Sequence, residues 1–224
     1  MVSLLYRLPP RLRRAVARTR VGRIASPEMS AHAWNDTDWW TTFYAEIDPW
    51  GFSTNSWEAE KYARTLQLCG SGPFDSALEI GCGEGVFTEA VAPRCNRLLA
   101  VDISSVAVER AQARLHASPH VVVDERMLPH AMPEGPFDLI VASDVLYYWA
   151  EEDLRATLPV FEQILAPGGR LISVHFAPPM GTLLTGTEVH DVLKSLTLPN
   201  THSEVMELSH GRWRVDRFDK PFVP

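Results

Sequence analysis

The sequence predicts an α/β fold: a doubly wound, mostly parallel seven-stranded sheet with an antiparallel C-terminal hairpin and a helical N-terminal extension. Three observations predict it. Five short apolar runs, at about 76–80, 97–101, 121–123, 137–142 and 170–176, alternate with stretches of helical periodicity, an order that requires parallel strands joined by right-handed crossovers. The first run ends in Gly81-Cys82-Gly83-Glu84-Gly85, three glycines at alternate positions followed at once by a helical pattern. The last two extended runs, 204–208 and 213–218, are joined by Ser209-His210-Gly211 and read as a hairpin.

At 224 residues and 46% hydrophobic, the chain is long enough for one well-buried domain. Residues 1–30 form a basic arm, expected to be partly disordered, with a short amphipathic helix at about Arg11 to Arg20 after Pro9-Pro10. Residues 31–224 form the domain, divided into an aromatic-rich helical cap (31–72) and the α/β core (73–224). Five of the seven tryptophans, Trp34, Trp39, Trp40, Trp50 and Trp57, fall between residues 32 and 57 beside Phe43, Tyr44 and Phe52. Such a group is either core packing or a roof over the ligand site.

Glu58 to Leu68 read as a helix ended by Cys69-Gly70-Ser71-Gly72-Pro73. After the glycine turn a helix runs from Val86 to Ala92 and stops at Pro93. Ser104 and Ser105 offer a cap for a helix over Ala107 to His116. The continuous apolar run Phe137 to Ala142 is that of a central strand covered on both faces. Leu154 to Leu165 are helical, Ala166-Pro167-Gly168-Gly169 turn into the fifth strand, and Glu188 to Leu196 give the last helix.

Ligands of doubly wound sheets bind beyond the carboxyl ends of the strands, where strand order reverses. A glycine turn there admits a ligand to the backbone, and Asp102, ending the second strand, can accept hydrogen bonds from both hydroxyls of a ribose. A nucleoside-bearing cofactor follows. The dinucleotide fingerprint needs a glycine at position 86, where the chain has Val86. Glu79 and Glu84 place negative charge around the turn, which disfavours a diphosphate and suits the ammonium and sulfonium of S-adenosylmethionine (SAM).

The pattern Glu79-x-Gly81-x-Gly83-x-Gly85 with Val101-Asp102 resembles the class I SAM-dependent methyltransferases, whose Rossmann-like fold ends in such a hairpin. Asp48-Pro49-Trp50, Ser56-Trp57-Glu58, Lys61-Tyr62, Asp144-Val145-Leu146-Tyr147-Tyr148 and Thr185-Gly186-Thr187-Glu188-Val189-His190 resemble the nodulation-factor N-methyltransferase (NodS-like) family. That resemblance implies methylation of the free amine of a deacetylated chitooligosaccharide, with S-adenosylhomocysteine (SAH) as the other product.

The cofactor is accordingly expected against Glu79, Gly81, Cys82, Gly83, Asp102, Ile103, Met127, Leu128, Ser143 and Trp57. One position departs from the family: where relatives carry an acid for the adenine amino group, Arg126-Met127-Leu128 stand, leaving adenine to backbone groups and the soft Met127 side chain. The candidate catalytic residues are Asp144, suited to an amine acceptor, His175, suited to a hydroxyl, and Tyr148, with Tyr147 beside it. Each also fits a structural reading: Asp144 as a helix cap, the tyrosines as packing, His175 as a hydrogen-bonded strand residue. An O-methyltransferase of secondary metabolism and a SAM-binding scaffold without turnover are the alternative functions.

Residues 1–27 carry seven arginines and no acid, leaving 28 acids against 14 bases in the remainder, a balance of −14. The acidic body speaks against a nucleic-acid substrate, while the arm suits an anionic partner or surface. Cys69, Cys82 and Cys95 lie at odd spacings, as reduced thiols of a cytoplasmic protein do. No apolar run approaches a membrane span, and His190, His202 and His210 are too scattered to suggest a metal site.

Overall fold

A computed structural model describes residues 36–208 and 211–222. The basic arm, its short helix and Trp34 lie outside them. In chain order the elements are α1 (Thr37–Phe43), α2 (Ser56–Cys69), β1 (Ala77–Ile80), α3 (Val86–Val91), β2 (Leu98–Asp102), α4 (Ser105–Arg114), β3 (Val121–Glu125), β4 (Phe137–Ser143), α5 (Glu151–Ile164), β5 (Leu165–Phe176), α6 (Gly186–Leu193), β6 (Asn200–Leu208) and β7 (Gly211–Asp219). The sheet has seven strands in the order β3-β2-β1-β4-β5-β7-β6, parallel except that β7 is antiparallel to both neighbours. This is the fold the alternating runs predict.

All four residues of β1 are buried, and β4 is buried from Leu139 to Ala142, so the two central strands have apolar cover on both faces. β2 lies on one side of β1 and β4 on the other, which puts the reversal of strand order between β1 and β4.

Element boundaries depart from expectation where local chemistry extends them. Ser104 caps α4 as expected, its Oγ accepting the Ala107 N–H at 3.3 Å. α5 begins three residues earlier than the apolar pattern suggests, because Glu151, Glu152 and Asp153 suit the positive end of the helix dipole. α6 begins two residues early on a capping box: Thr185 Oγ1 accepts the Glu188 N–H while the Glu188 carboxylate accepts the Thr185 N–H. Residues 166–169, expected as a turn, belong to β5, which takes them in with a shift of register against β4 and Gly168 at φ 78°. Among the described residues no helix is long and apolar enough to cross a membrane.

Candidate functional site

At the reversal point the chain leaves β1 through Gly81, whose N–H, like that of Cys82, donates to the Val101 carbonyl (2.8 and 3.0 Å). Gly81, Gly83 and Gly85 all have positive φ (73°, 53° and 77°), a region costly to side chains with a Cβ. A Cβ on Gly81 would lie 2.6 Å from Val145 Cγ2, so the turn also requires glycine for the approach of the segment after β4.

Asp102 ties this turn to the next crossover. Its Oδ2 accepts the Gly83 N–H at 2.9 Å and its Oδ1 the Ser104 N–H at 3.0 Å. Burial raises its carboxyl, with those backbone donors pulling back. Each oxygen keeps a further lone pair, and the side chain lines the cavity.

That cavity encloses about 660 Å³ including its open mouth. Its sheet side is Ile80, Gly81, Val101, Asp102, Ile103 and Ser143. Its other walls are aromatic: Trp40, Tyr44, Trp50, Phe52, Tyr148 and Trp149. Four members of the aromatic group between residues 32 and 57, Trp40, Tyr44, Trp50 and Phe52, thus line the cavity, and Trp40 meets Tyr148 edge-on at 5.0 Å and 85°. The segment before α2 is tied to the glycine turn by Glu84, whose carboxylate accepts the Asp48 N–H at 3.1 Å and the Arg110 guanidinium at 2.5 Å.

Asp144 also faces the cavity, from a left-handed backbone (φ 53°). Its Oδ2 is 2.5 Å from Lys61 Nζ; its Oδ1 accepts the Phe176 N–H at 2.8 Å and the Tyr147 hydroxyl at 3.3 Å. Lys61 is 1% exposed and sits 2.6 Å from Glu58 as well, with the rings of Tyr62, Phe52 and Trp213 at 5.0, 5.4 and 5.9 Å. Burial pushes this ammonium down, but the Asp144 and Glu58 carboxylates push it up and prevail, so it is a cation. Burial raises the Tyr147 and Tyr148 phenols, and the Asp144 charge adds to it, so both remain protonated donors.

Of the residues expected to hold the cofactor, Gly81, Asp102, Ile103, Leu128 and Ser143 line the cavity, and Gly83 lies just behind it on Asp102. Four expectations are corrected. Trp57 is stacked on Trp213 at 5.9 Å and is not among the residues that line the cavity. Cys82 is buried with its thiol toward the Gly83 carbonyl. Arg126, paired with Asp124 at 2.9 Å, lines the cavity where Met127 was expected to. His175 is fully buried behind the wall, its Nε2 accepting the Leu146 N–H at 3.1 Å, so it is no base for a ligand in the cavity.

The charge expected around the turn is not there either. Arg110 neutralises Glu84, and burial pushes the Glu79 carboxyl up to about 8. The carboxylates that line the cavity are Asp102 and Asp144. Asp144 does not cap a helix; it gathers donors from α2, β5 and its own loop. Lys61 is its partner, and the sequence signals this only in that Lys61-Tyr62 is one of the motifs shared with the family.

A nucleoside fits these residues on independent grounds. Ser143 Oγ is a buried polar atom of a cavity-lining residue without a protein partner, and Asp102 has lone pairs to spare.

A family model described as nodulation protein S (NodS) matches residues 38–178. Nodulation protein S of Rhizobium tropici is 36% identical over 130 residues, 57% of this chain and 55% of that protein. Its counterpart in Sinorhizobium fredii is 37% identical over 133 residues, covering 57% and 60%. The match thus spans little more than half the length of these relatives. The crystal structure of N-methyltransferase NodS from Bradyrhizobium japonicum WM9 in complex with SAH is similar with a TM-score of 0.75 and 28% identity, over 84% of this chain and 99% of that one.

Proposed function

The chain belongs to the NodS family, and on that premise we propose that it is a class I SAM-dependent methyltransferase acting on an amine nitrogen of a small-molecule or oligosaccharide acceptor. The observation that carries the reading is that one cavity joins a glycine turn and Asp102 to Asp144 and Tyr148 beneath an aromatic roof. When bound there, SAM supplies a methyl group already activated on a sulfonium, open to in-line displacement.

The chain's own work is then to bind, align and exclude water. Asp102 takes the ribose hydroxyls, Gly81 and Gly83 let the methionine portion approach the backbone, and Ser143 Oγ supplies a polar contact. Leu128 and Arg126 border the adenine. Residues 31–72 act as a roof on the 73–224 core, keeping water from the reacting atoms. Asp144 orients the acceptor's ammonium and receives its proton, which frees the nitrogen lone pair to take the methyl group as the sulfonium becomes the thioether of SAH, and the protonated Tyr148 donates a hydrogen bond. The amine reading is favoured over a hydroxyl acceptor because a hydroxyl needs a firm base and His175 is out of reach. Three buried, unpaired cysteines fit a reducing cytoplasmic setting.

Incubation with methyl-labelled SAM and three acceptors tests this: a free-amine glucosamine oligomer, its N-acetylated counterpart and a phenol. Label on the free amine supports the proposal; label on the phenol alone, or on none of the three, overturns it.

A further inference from the structure

Behind the cavity wall, buried groups from three elements stand in single file toward one backbone amide. Asp216 Oδ2 on β7 is 2.6 Å from His190 Nδ1 on α6. His190 Nε2 is 3.3 Å from His175 Nδ1 on β5, and His175 Nε2 meets the Leu146 N–H at 3.1 Å. Asp216, His190, His175 and Leu146 are all 0% exposed.

Donor and acceptor roles leave one arrangement of protons. An amide N–H only donates, so His175 Nε2 presents a lone pair and the neutral ring carries its proton on Nδ1. That proton is shared between Ser173 Oγ, at 3.1 Å, and His190 Nε2. A carboxylate only accepts, so His190 Nδ1 is protonated toward Asp216 and its Nε2 is free to accept. Every bond in the line is then made once, in one direction.

Leu146 opens the turn Leu146–Tyr148, and its neighbours Asp144, Val145, Tyr148 and Trp149 line the cavity. We propose that the Asp216–His190–His175 line is a positioning relay that fixes the Leu146 amide and thereby sets Asp144 and Tyr148 against the acceptor. None of the three lines the cavity, so they act through the loop and not on a ligand. The consequence for turnover rests on the methyltransferase reading; the proton arrangement and the hold on Leu146 do not.

The full chain, labelled with ¹⁵N at histidine, tests the arrangement by NMR, with hydrogen exchange at the Leu146 amide. The expected spectrum has His175 and His190 both neutral and protonated at Nδ1, with Leu146 protected; protonation of His175 at Nε2 overturns the proposal. Two variants separate the relay from packing, since His175 also meets Tyr147 edge-on at 5.2 Å. His175→Gln keeps an acceptor near Nε2, whereas His175→Phe keeps the ring and loses the acceptor.

The relay predicts that His175→Gln retains Leu146 protection and transfer to the glucosamine oligomer. His175→Phe should lose the protection and drop kcat about ten- to a hundredfold, the cost of a small displacement at a reacting centre, with SAH affinity unchanged. A His175→Phe protein with native protection overturns the relay. Should a variant fail to fold, the wild-type tautomers decide the matter. Should the wild type transfer no methyl group, the methyltransferase reading falls and Leu146 exchange alone judges the relay.

Discussion

Lys61 Nζ on α2 lies 2.5 Å from Asp144 Oδ2 in the segment after β4, a buried ion pair between residues 83 apart in sequence. It joins α2 to the segment after β4 at the edge of the cavity, and Glu58 is a second partner of Lys61 at 2.6 Å. Removing the cation alone leaves two carboxylates without compensation. Lys61→Met should therefore lower stability by about 3–5 kcal/mol, the usual result of breaking a buried pair. Urea unfolding checks this, and Lys61→Met/Asp144→Asn should recover part of the loss.

Asp102→Ala should weaken SAH binding about ten- to a hundredfold, since a hydrogen bond to a buried charged group is worth roughly 1.5–3 kcal/mol. The variant also strips the acceptor from the Gly83 and Ser104 N–H groups. Quenching of tryptophan fluorescence by SAH measures it, Trp40 and Trp50 being in the cavity wall. Unchanged affinity would remove Asp102 from the ribose role.

Gly81→Ala places a Cβ 2.6 Å from Val145 Cγ2 at a backbone φ of 73°. The left-handed conformation alone costs about 1–2 kcal/mol. Thermal melting should show at least that loss, and SAH affinity should fall as the glycine turn itself is displaced. A variant with native melting and native affinity would refute the close approach.

Two groups of opposite sign shape stability against pH. Glu79 rises from 4.5 to about 8 through burial, so between those values the folded chain keeps a proton that the unfolded chain has released. Its contribution is full below 4.5 and is lost as pH rises toward 8, by up to about 1.4 kcal/mol per unit. His175 and His190 are held below 6.5, burial being the main cause for each, so the unfolded chain takes up protons first and stability falls as pH drops below 6.5. Glu79→Gln should flatten the alkaline fall in urea unfolding and leave the acid side unchanged. An alkaline slope identical to the wild type would contradict the neutral Glu79.

The parts of this architecture set by local pattern were legible in the chain. The apolar runs marked β1 and β4 because both faces of a central strand are covered, and the glycines announced the turn because its positive φ values tolerate little else. Asp102 was legible because an acid at the end of β2 has a fixed place relative to that turn. What escaped notice was made by tertiary pairing. Lys61 reads as an ordinary surface position of a helix until Asp144 is brought to it. His190 and Asp216 show no relation until α6 packs on β7. The charge inferred at Glu79 and Glu84 failed for the same reason, since burial and Arg110 alter what the residue types suggest. The sequence places Trp57 against the cofactor, yet on α2 it stacks on Trp213.

Isothermal calorimetry of the protein with SAH, run beside an identical titration with NADH, tests the central claim most directly. The account predicts saturable heat with SAH and none with NADH, because the turn and Asp102 accommodate an adenosyl group while Val86 stands where a dinucleotide turn needs a glycine. Saturable heat with NADH and none with SAH would contradict it.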